Sequence, residues 1–383
     1  DVMGIAGNGA SYKILQEAGI DDADLIIAVT GSDELNLLCC TIATQVGNCA
    51  AIARVRTPEY SQEAKYLRDK LGLALIINPE LEAAIEMAHI LHLPSSLEVT
   101  NFAHGQAQLI KYEIPEGSIL DGTKLMDLGT RHHANILIGA VERDDEVTIP
   151  SGDFVLRKGD KLSFVGERRH TKEFFSHIGV NTHSVKNTLI IGGGKAAYYL
   201  AKQLISRGIK VKIIENSFER CEELSILLPD AVIINGDGTE QALLKEEGIE
   251  TCQSFVPLTG IDEENIMLTL YAKQVSNAKV ITKLNRITFT NVINSLDLGS
   301  VISPKYITSE AIIAYVRAKK NSMNCNIETL YHMYDSRVEA IEFFVSENSN
   351  VTDIPLRDLK LKKHLLICFI NRNGKIIIPT GND

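Results

Sequence analysis

A glycine-rich run in the middle of the chain is the sequence feature that most clearly predicts chemistry. The residues Gly192-Gly193-Gly194-Lys195-Ala196-Ala197 fit G-x-G-x-x-A, follow the apolar stretch 188–191 and open a helical pattern. In that setting Gly192 permits a tight turn, Gly194 lets backbone N–H groups approach a pyrophosphate, and Ala197 allows close packing of helix on strand. Because a helix N-terminus also carries partial positive charge, the run predicts a site for nucleotide phosphates.

Glu215 completes this predicted site. It ends the apolar stretch 211–215 and lies 23 residues after Gly192, near the roughly 20 residues expected for the acid that binds the adenosine ribose. A carboxylate there repels a 2′-phosphate, so the sequence favours NAD or an adenine nucleotide over NADP. The glycine motif alone would also fit a plain strand-to-helix turn, whereas strand, glycines, helix and acid together favour nucleotide binding.

Polar residues at the ends of the next three strands are further candidates. Asp237, in the run Gly236-Asp237-Gly238-Thr239, either accepts the adenine amino group or caps the following helix. Thr259 ends the fourth strand, at the carboxyl edge where open α/β sheets bind their ligands. Lys283 and Arg286 follow the fifth strand, where they would either reach phosphates or remain solvated surface charges.

The second half of this unit occurs twice in the chain. Gly7-Asn8-Gly9 aligns with Gly236-Asp237-Gly238, and 15 of the 42 positions from Gly7 to Asn48 are identical at a constant offset of 229 residues. That identity indicates an internal duplication. The first copy has no counterpart of the glycine-rich run or of Glu215, so we expect it to be truncated at its N-terminus.

The composition is that of a globular protein with more than one domain. The chain has 383 residues, 45% of them apolar and 23% charged, and single hydrophobic cores stop growing at about 250–300 residues. A net charge of −10 argues against a nucleic-acid or anionic-membrane binder. The longest apolar runs are far shorter than the roughly 18–20 residues that span a bilayer. We therefore expect a soluble protein, with any membrane role supplied by a partner.

Alternating apolar runs and helical patterns predict the fold class: α/β, with tandem Rossmann-like doubly wound parallel sheets, each followed by a small α+β domain. The predicted strands of the second sheet are 188–191, 211–214, 231–234, 254–258, 279–283 and 301–302, with helices at 196–207 and 218–228. The first sheet would contain 25–29, 51–55 and 75–77, with helices at 10–18 and 33–46. The predicted domains are residues 1–95, 96–180, 186–322 and 323–383.

The two predicted small domains also match each other, 117–128 with 348–359 and 149–152 with 378–381. Short alternating stretches predict largely antiparallel strands at 107–114, 136–141, 337–345 and 365–370, with short helices at 124–128 and 356–359. The sequence stops opposite Asp153. We therefore expect the second small domain to be incomplete and to lack the strand that 161–165 supplies in the first.

The sequence offers little for catalysis. Neither His132-His133 nor the pair His89 and His92 stands beside an acid in a pocket context, and no P-loop motif is present. The seven cysteines show no C-x-x-C spacing, so we interpret them as reduced and mostly buried, and we predict no metal site and no catalytic residue. The alternative is an NAD-dependent oxidoreductase whose small domains hold the substrate, which would need a titratable group beside the nicotinamide.

Four short motifs and the domain order carry a family resemblance. The motifs are AGIDDAD at 18–24, TGSDELN at 30–36, IARVR at 52–56 and INPE at 77–80. Together with the alternation of nucleotide-binding unit and small domain, they make the chain resemble the TrkA family, the peripheral nucleotide-binding subunits of Trk potassium-uptake systems, built from paired RCK domains. The resemblance covers nearly the whole chain. It implies a cytoplasmic, non-enzymatic protein, peripheral at the inner face of the plasma membrane.

The same resemblance implies ligands, partners and site residues. The ligands would be NAD(H) and ATP or ADP, gating potassium transport through a TrkH-like membrane channel subunit, with self-association as a dimer or tetramer ring and no nucleic acid. Implied nucleotide contacts in the second unit are Gly192, Gly194, Lys195, Ala196, Glu215, Arg220, Asp237, Gly238, Thr239 and Thr259. Those in the first unit are Asn8, Gly9 and Thr30, with Arg54 and Arg56 as phosphate candidates. Without a glycine loop and an acid, the first site should bind nucleotide weakly or not at all.

Two questions stay open at the level of sequence. The apolar stripes of the crossover helices around 81–92 and 307–318 fit a channel-facing or dimer surface, and they fit plain core packing equally well. A stand-alone metabolite-binding regulator without a potassium partner is a further alternative to the channel regulator, because it differs only in its partner.

Overall fold

The computed structural model describes residues 2–383 except 94–95, 132–134, 181–183, 287–292, 294, 322–325, 335–336, 347–348, 350 and 360–363. The pair His132-His133 therefore lies outside the described residues. No helix in the described part of the chain is both long and apolar enough to cross a membrane. The six cysteines that fall within it are free thiols, and four of them are buried.

The first α/β unit is built on a small parallel sheet. Its strands are β1 Leu25–Ala28, β2 Ala50–Arg54 and β3 Leu75–Ile77, and its helices are α1 Tyr12–Glu17, α2 Asp33–Val46, α3 Pro58–Gln62, α4 Ala64–Leu71 and α5 Pro79–His92. The strands pair in the order β1-β2-β3. Ser32 and Asn78 begin α2 and α5, because their side chains accept hydrogen bonds from the backbone amides of Leu35 and Leu81 at 3.1 and 3.0 Å.

The first small domain is an antiparallel sheet covered by helices. Its elements are β4 Glu98–Phe102, β5 Ala107–Glu113, α6 Leu125–Arg131, β6 Ile136–Arg143, β7 Glu146–Thr148, β8 Lys161–Glu167 and α7 Arg168–His177. The strand order is β4-β5-β8-β6-β7. Buried rings hold α7 on the sheet, since Phe164 meets Phe174 and Phe175 edge to face at centroid distances of 5.5 and 5.7 Å.

The second α/β unit is a complete doubly wound sheet. Its elements are β9 Asn187–Ile191, α8 Lys195–Ile205, β10 Lys210–Glu215, α9 Phe218–Leu227, β11 Val232–Asn235, α10 Gln241–Glu246, β12 Ser254–Pro257, α11 Asp262–Val275, β13 Lys279–Lys283, β14 Ser300–Ile302 and α12 Pro304–Asn321. All pairs are parallel, in the order β11-β10-β9-β12-β13-β14. The order reverses between β9 and β12, where ligands of such sheets bind. The predicted α/β fold class is confirmed.

The second small domain departs from the predicted pattern. It contains the antiparallel pair β15 Asn326–Met333 and β16 Val338–Phe344, and a separate pair β17 Ile370–Arg372 and β18 Lys375–Ile377. The predicted strand at 365–370 is wrong except for its last residue. Cys368 and Phe369 pack their side chains on the first small domain, where the Phe369 ring meets Phe102 edge to face at 6.1 Å. The helix predicted at 356–359 is a single 3-10 turn, Leu356–Asp358.

Helix α5 is enclosed by the rest of the chain. It packs on α8 and α12, and its residues Ala84, Met87 and Leu91 are fully buried. They join a continuous core that also includes Ile110 of the first small domain and Leu200 of α8. The apolar stripe of 81–92 is therefore core packing, and its interpretation as a channel-facing or dimer surface is wrong.

Helix α12 differs from α5 in this respect. Its side chains Tyr306, Ile313 and Val316 remain partly exposed. The surface predicted around 307–318 consequently stays a prediction for this helix.

Candidate functional site

The loop between β9 and α8 has the backbone of a phosphate-binding turn. Gly192 adopts φ +94°, and a Cβ on it would lie 3.1 Å from the carbonyl of Leu258, so glycine is required there. Gly194 begins α8 in an extended conformation that any residue can adopt, and nothing lies within 4 Å of a Cβ placed on it. The absence of a side chain at Gly194 therefore leaves the N-terminus of α8 open to an approaching group.

Glu215 is attached directly to this loop. Its Oε2 accepts a hydrogen bond from the Gly193 amide at 2.6 Å, and its Oε1 accepts one from the Ser217 amide at 2.8 Å. A Cβ on Gly193 would lie 2.6 Å from Leu224 and 3.1 Å from the Glu215 carboxylate. A side chain at position 193 would therefore displace Leu224 and crowd Glu215, and the carboxylate lies beside the turn, where the sequence predicts it.

Arg220 crosses the same loop from α9. Its Nε donates to the carbonyl oxygen of Gly193 at 2.7 Å, and its Nη1 forms an ion pair with Glu223 at 2.6 Å. A guanidinium in this position adds positive charge beside the proposed phosphates.

Asp237 forms a tight local turn. Its Oδ1 accepts hydrogen bonds from the Thr239 amide at 2.8 Å and from the Thr239 hydroxyl at 2.7 Å, and these bonds hold the pKa of the carboxyl below its usual value. A Cβ on Gly238 would lie 2.3 Å from Ile191, the residue before the glycine turn. Asp237 therefore forms a turn and does not cap α10, because the residue before that helix is Glu240; its contact with adenine stays a prediction.

The matching residues of the first unit form the same turn in different surroundings. Asn8 Oδ1 accepts a hydrogen bond from the Ala10 amide at 3.0 Å. Gly9 and Thr30 line a cavity of about 290 Å³ whose other walls are mainly apolar residues of β1. In the described residues, two of this unit's predicted contacts, Gly9 and Thr30, therefore line an apolar cavity beside β1.

An asparagine that sequence reasoning missed ties the sheet edge together in each unit. Asn36 accepts a hydrogen bond from the Thr30 amide at 2.7 Å and donates to the Arg54 carbonyl at 2.9 Å. Asn265 repeats this with the Thr259 amide and the Lys283 carbonyl, both at 3.0 Å. Both asparagines are fully buried. Their recurrence in the duplicated sequence was the signal that could have identified them.

An aspartate at the start of α2 or α11 holds the next loop in the same way. Asp33 accepts hydrogen bonds from the amides of Arg56 and Thr57 at 2.8 and 2.7 Å, and from the Thr57 hydroxyl at 2.6 Å. Asp262 accepts hydrogen bonds from the amides of Asn285 and Arg286, both at 2.8 Å. We call each aspartate and asparagine pair, Asp33 with Asn36 and Asp262 with Asn265, an edge clamp.

The predicted phosphate-binding cations lie at the carboxyl edge but donate to the backbone. Arg54 Nη2 donates to the Thr30 carbonyl at 2.7 Å, and Arg56 Nη2 donates to the Gly31 carbonyl at 3.0 Å. Lys283 Nζ lies 3.4 Å from the Leu258 carbonyl. Burial, followed by the charge of Arg56, lowers the pKa of Arg54. These contacts brace the edge, and a phosphate role for the three cations stays a prediction.

Helix α8 links the glycine loop to the first unit. Lys195 Nζ donates to the Thr57 hydroxyl at 3.1 Å, and the Tyr199 hydroxyl donates to the Arg56 carbonyl at 2.9 Å. Asn78 Nδ2 donates to the Tyr199 hydroxyl at 3.0 Å. No feature of the sequence pairs these residues, because they lie more than a hundred positions apart.

Two histidines that the sequence analysis considered lie away from the glycine loop. His89 and His92 lie near the end of α5 in a polar pocket with Arg168 and Arg207. Across the residues that the structure describes, no group of three or more His, Cys, Asp or Glu side chains could hold a metal ion.

Comparison with known families identifies both kinds of domain. The TrkA-N domain family matches residues 1–79 and 188–304, and the TrkA-C domain family matches residues 109–179. The chain is 33% identical to Trk system potassium uptake protein TrkA homolog 1 of Methanosarcina mazei, over 100% of this chain and 85% of the relative. It is 30% identical to the TrkA protein of Haemophilus influenzae, over 99% of this chain and 82% of the relative.

Solved structures show the same fold. The GsuK RCK domain superposes with a TM-score of 0.64 at 18% identity, covering 84% of this chain and 69% of that one. The GsuK channel bound to NAD superposes with a TM-score of 0.62 at 20% identity, covering 84% and 57%.

Proposed function

This chain belongs to the family of TrkA potassium-uptake proteins, and we propose that it regulates potassium transport by binding a nucleotide in its second α/β unit. The observation that carries this proposal is the loop from Gly192 to Gly194. It combines a turn that needs glycine, an open helix N-terminus and a carboxylate bonded to its middle amide. These are the parts of a dinucleotide site, at the point where the strand order reverses.

The nucleotide of this proposal is NAD or NADH, with ATP or ADP as competing adenine nucleotides. The Glu215 carboxylate only accepts hydrogen bonds, so it would bind ribose hydroxyls and oppose a 2′-phosphate. The open N-terminus of α8 would receive the pyrophosphate, with Lys195 and Arg220 supplying positive charge beside it. The solved structure of a GsuK channel bound to NAD, which has the same fold, supports this choice.

Lys195 offers the bound nucleotide a connection to the first unit. Its ammonium group bonds Thr57, which in turn bonds Asp33 of the first edge clamp. A phosphate at Gly194 would compete for that ammonium group, so the contact between the units would differ between the bound and free states. A nucleotide shifts the balance of two arrangements only by the difference in its affinity for them.

The partner in this proposal is a TrkH-like membrane channel subunit. This chain would form a dimer or tetramer ring at the inner face of the plasma membrane. Because the ring is symmetric, a nucleotide-dependent change in the arrangement of the two units would act equally on each contact with the channel. The protein would be a cytoplasmic regulator that carries out no chemical reaction, and the nucleotide would be its signal. The family membership motivates this choice over an oxidoreductase.

Isothermal titration of NADH, NAD, ATP and ADP tests the binding site. Gly194→Val adds a side chain on the open side of the loop, where a Cβ meets no atom within 4 Å, so the variant should fold and lose about tenfold or more in affinity. Gly129→Ala, which also adds its Cβ to open space in the first small domain, is the matched control and should bind normally. Unchanged affinity of the Gly194→Val protein would refute the site.

Potassium uptake tests the function separately. Cells without their own uptake regulator should regain potassium uptake with the wild type and with Gly129→Ala, and not with Gly194→Val. Normal nucleotide binding without any effect on uptake would instead indicate a metabolite-binding regulator with another partner.

A further inference from the structure

A polar pocket lies at a place where three parts of the chain meet, away from the glycine loop. It has a volume of about 150 Å³ and is lined by His89 and His92 of α5, Gln108 of β5, Arg168 at the start of α7 and Arg207 just after α8. Helix α8 has 11 residues and is therefore about 16–17 Å long, and Arg207 lies just beyond the end that is opposite to the glycine loop. The pocket is therefore separate from the proposed nucleotide site.

The charges around this pocket are positive. Arg168 Nη2 donates to His92 Nε2 at 2.7 Å, so that ring is neutral and accepts at this nitrogen. Burial, then the charges of Arg168, Lys172 and Arg207, lower the pKa of His92 to about 4. Burial followed by Arg207 and Arg168 lowers the pKa of His89 to about 4 as well. Three cations thus surround two neutral imidazoles, in a chain whose net charge is −10.

Both Arg168 and Arg207 line the pocket. Burial and the charge of Arg168 both lower the pKa of Arg207, which means that bringing these groups together costs free energy. Arg168 belongs to the first small domain and Arg207 to the second α/β unit. An anion between Arg168 and Arg207 would reduce the repulsion between the two guanidinium groups. Its oxygen atoms would accept hydrogen bonds from the N–H groups of each arginine.

The size of the pocket limits what could occupy it. Sites for drug-sized ligands have volumes of about 300–1,000 Å³, so a whole nucleotide would not fit in this one. A single phosphate group is the size that suits it. Arginine matches phosphate geometry with paired N–H donors, and His92 and Gln108 add neutral polar groups to the wall.

We propose that the pocket formed by His92, Arg168 and Arg207 binds a small phosphate-type oxyanion, either free or at the end of a larger molecule. The bound anion would fasten the first small domain and the second α/β unit to α5 of the first unit. The site would therefore stiffen the junction of three domains. The proposal stands independently of nucleotide binding at the glycine loop.

This site can be tested by titration with inorganic phosphate at constant ionic strength. Calorimetry measures the binding, and thermal unfolding measures the change in melting temperature. The wild type should show one saturable event and a rise in melting temperature. Arg168→Gln and Arg207→Gln should each weaken phosphate binding by about ten- to hundredfold, the range for hydrogen bonds to charged groups. Arg169→Gln is the matched control, because Arg169 is the exposed neighbour that pairs with Glu173 at 2.8 Å, and it should bind as the wild type does.

Two outcomes would overturn the proposal. One is the absence of a saturable event in the wild type. The other is wild-type affinity in both Arg168→Gln and Arg207→Gln, which would place the phosphate elsewhere, for example at the N-terminus of α8. Methyl phosphate distinguishes a free phosphate ion from a phosphate group at the end of a larger molecule. If it binds as tightly as inorganic phosphate, the ligand can be part of a larger molecule. If only inorganic phosphate binds, the ligand is the free ion.

A measurement on the wild type guards against variants that fail to fold. Bound phosphate adds negative charge beside His89 and His92, so NMR titration of the imidazole signals should show the pKa of both rings rising when phosphate is present. Two imidazoles whose titration does not respond to phosphate would contradict the site.

Discussion

The two α/β units share one design of sheet edge but present different chemistry along it. In both, an edge clamp joins two strand ends and holds the loop that follows. Only the second unit, within the described residues, adds a glycine turn at Gly192 and a glutamate bonded to that turn. The clamp residues, which both copies share, thus maintain the edge, whereas Gly192 and Glu215 are the candidates for ligand chemistry in the second unit.

Removal of either clamp aspartate should break the shared edge most strongly. Asp33→Ala leaves two amides and one hydroxyl without their acceptor, so we expect about 3–4 kcal/mol less free energy of unfolding at neutral pH. Asp262→Ala should cost a similar amount. Chemical denaturation measures both losses. A loss for one aspartate only would show that the two edges are not equivalent.

Acid should remove the contribution of Asp33. Burial raises the pKa of this carboxyl, but hydrogen bonds from Thr57 and Arg56 and the charge of Lys195 outweigh it, so its pKa lies below the usual 3.8. Stabilisation from a lowered carboxyl pKa is complete above the unfolded pKa and disappears as pH falls through the folded pKa. The stability difference between wild type and Asp33→Ala should stay constant from about pH 7 to 5 and shrink below 3.8. A difference that grows in acid would rule out this account.

Removal of the clamp asparagines should have a smaller effect that is confined to each unit. Asn36→Ala and Asn265→Ala each leave one buried amide and one buried carbonyl unpaired, which should cost about 2–3 kcal/mol. Hydrogen exchange can resolve the units. Exchange of the Thr30 amide should accelerate only in the first variant and that of the Thr259 amide only in the second. Equal acceleration at both sites would mean that the clamps are coupled.

Substitutions in the second unit should change nucleotide affinity, whereas substitutions in the first unit should not. Glu215→Ala should weaken NADH binding by about ten- to hundredfold, because a charged acceptor is lost. Arg54→Ala in the first unit should leave it unchanged, as should Glu222→Ala, which removes an exposed acid of α9. Calorimetry should find one site per chain. Two sites, or a strong effect of Arg54→Ala, would show that the first unit also binds nucleotide.

The contact between the units should contribute least to stability. Lys195→Met removes the hydrogen bond to Thr57, worth about 0.5–1 kcal/mol, and should lower the melting temperature slightly. Lys202→Met, on an exposed position of the same helix, should not. If the first variant melts and binds NADH as the wild type does while its effect on potassium uptake is lost, Lys195 serves signalling alone.

The sequence predicted the sheets well because buried parallel strands are short apolar runs between helices. The strand Lys279–Lys283 and the helix Asp33–Val46 have the predicted bounds. The same logic failed at 365–370, where Leu365 and Leu366 are exposed and only Cys368 and Phe369 pack, partly buried, against the first small domain. An apolar run therefore does not by itself show that a segment is buried or that its backbone pairs with another strand.

The predicted site was recognisable where its chemistry is local. Gly192, Gly194 and Glu215 belong to one motif with a known spacing, and the structure brings them together. The bond between Lys195 and Thr57 spans 138 positions, so only the tertiary fold reveals it. Asn36 and Asn265 are an intermediate case. Comparison of the two copies shows that both contain this asparagine, but it does not show which groups the asparagine bonds.

The enclosed position of α5 affects how the protein is made. Asn78, at the start of that helix, bonds Tyr199, which follows 121 residues later in the chain. Ribosomes add about 5–20 residues per second, so this partner is synthesised roughly 6–24 s after the helix that needs it. During that interval the nascent chain carries an apolar helix without its cover, a surface that chaperones bind. The first unit can complete its core only after the second has begun to emerge.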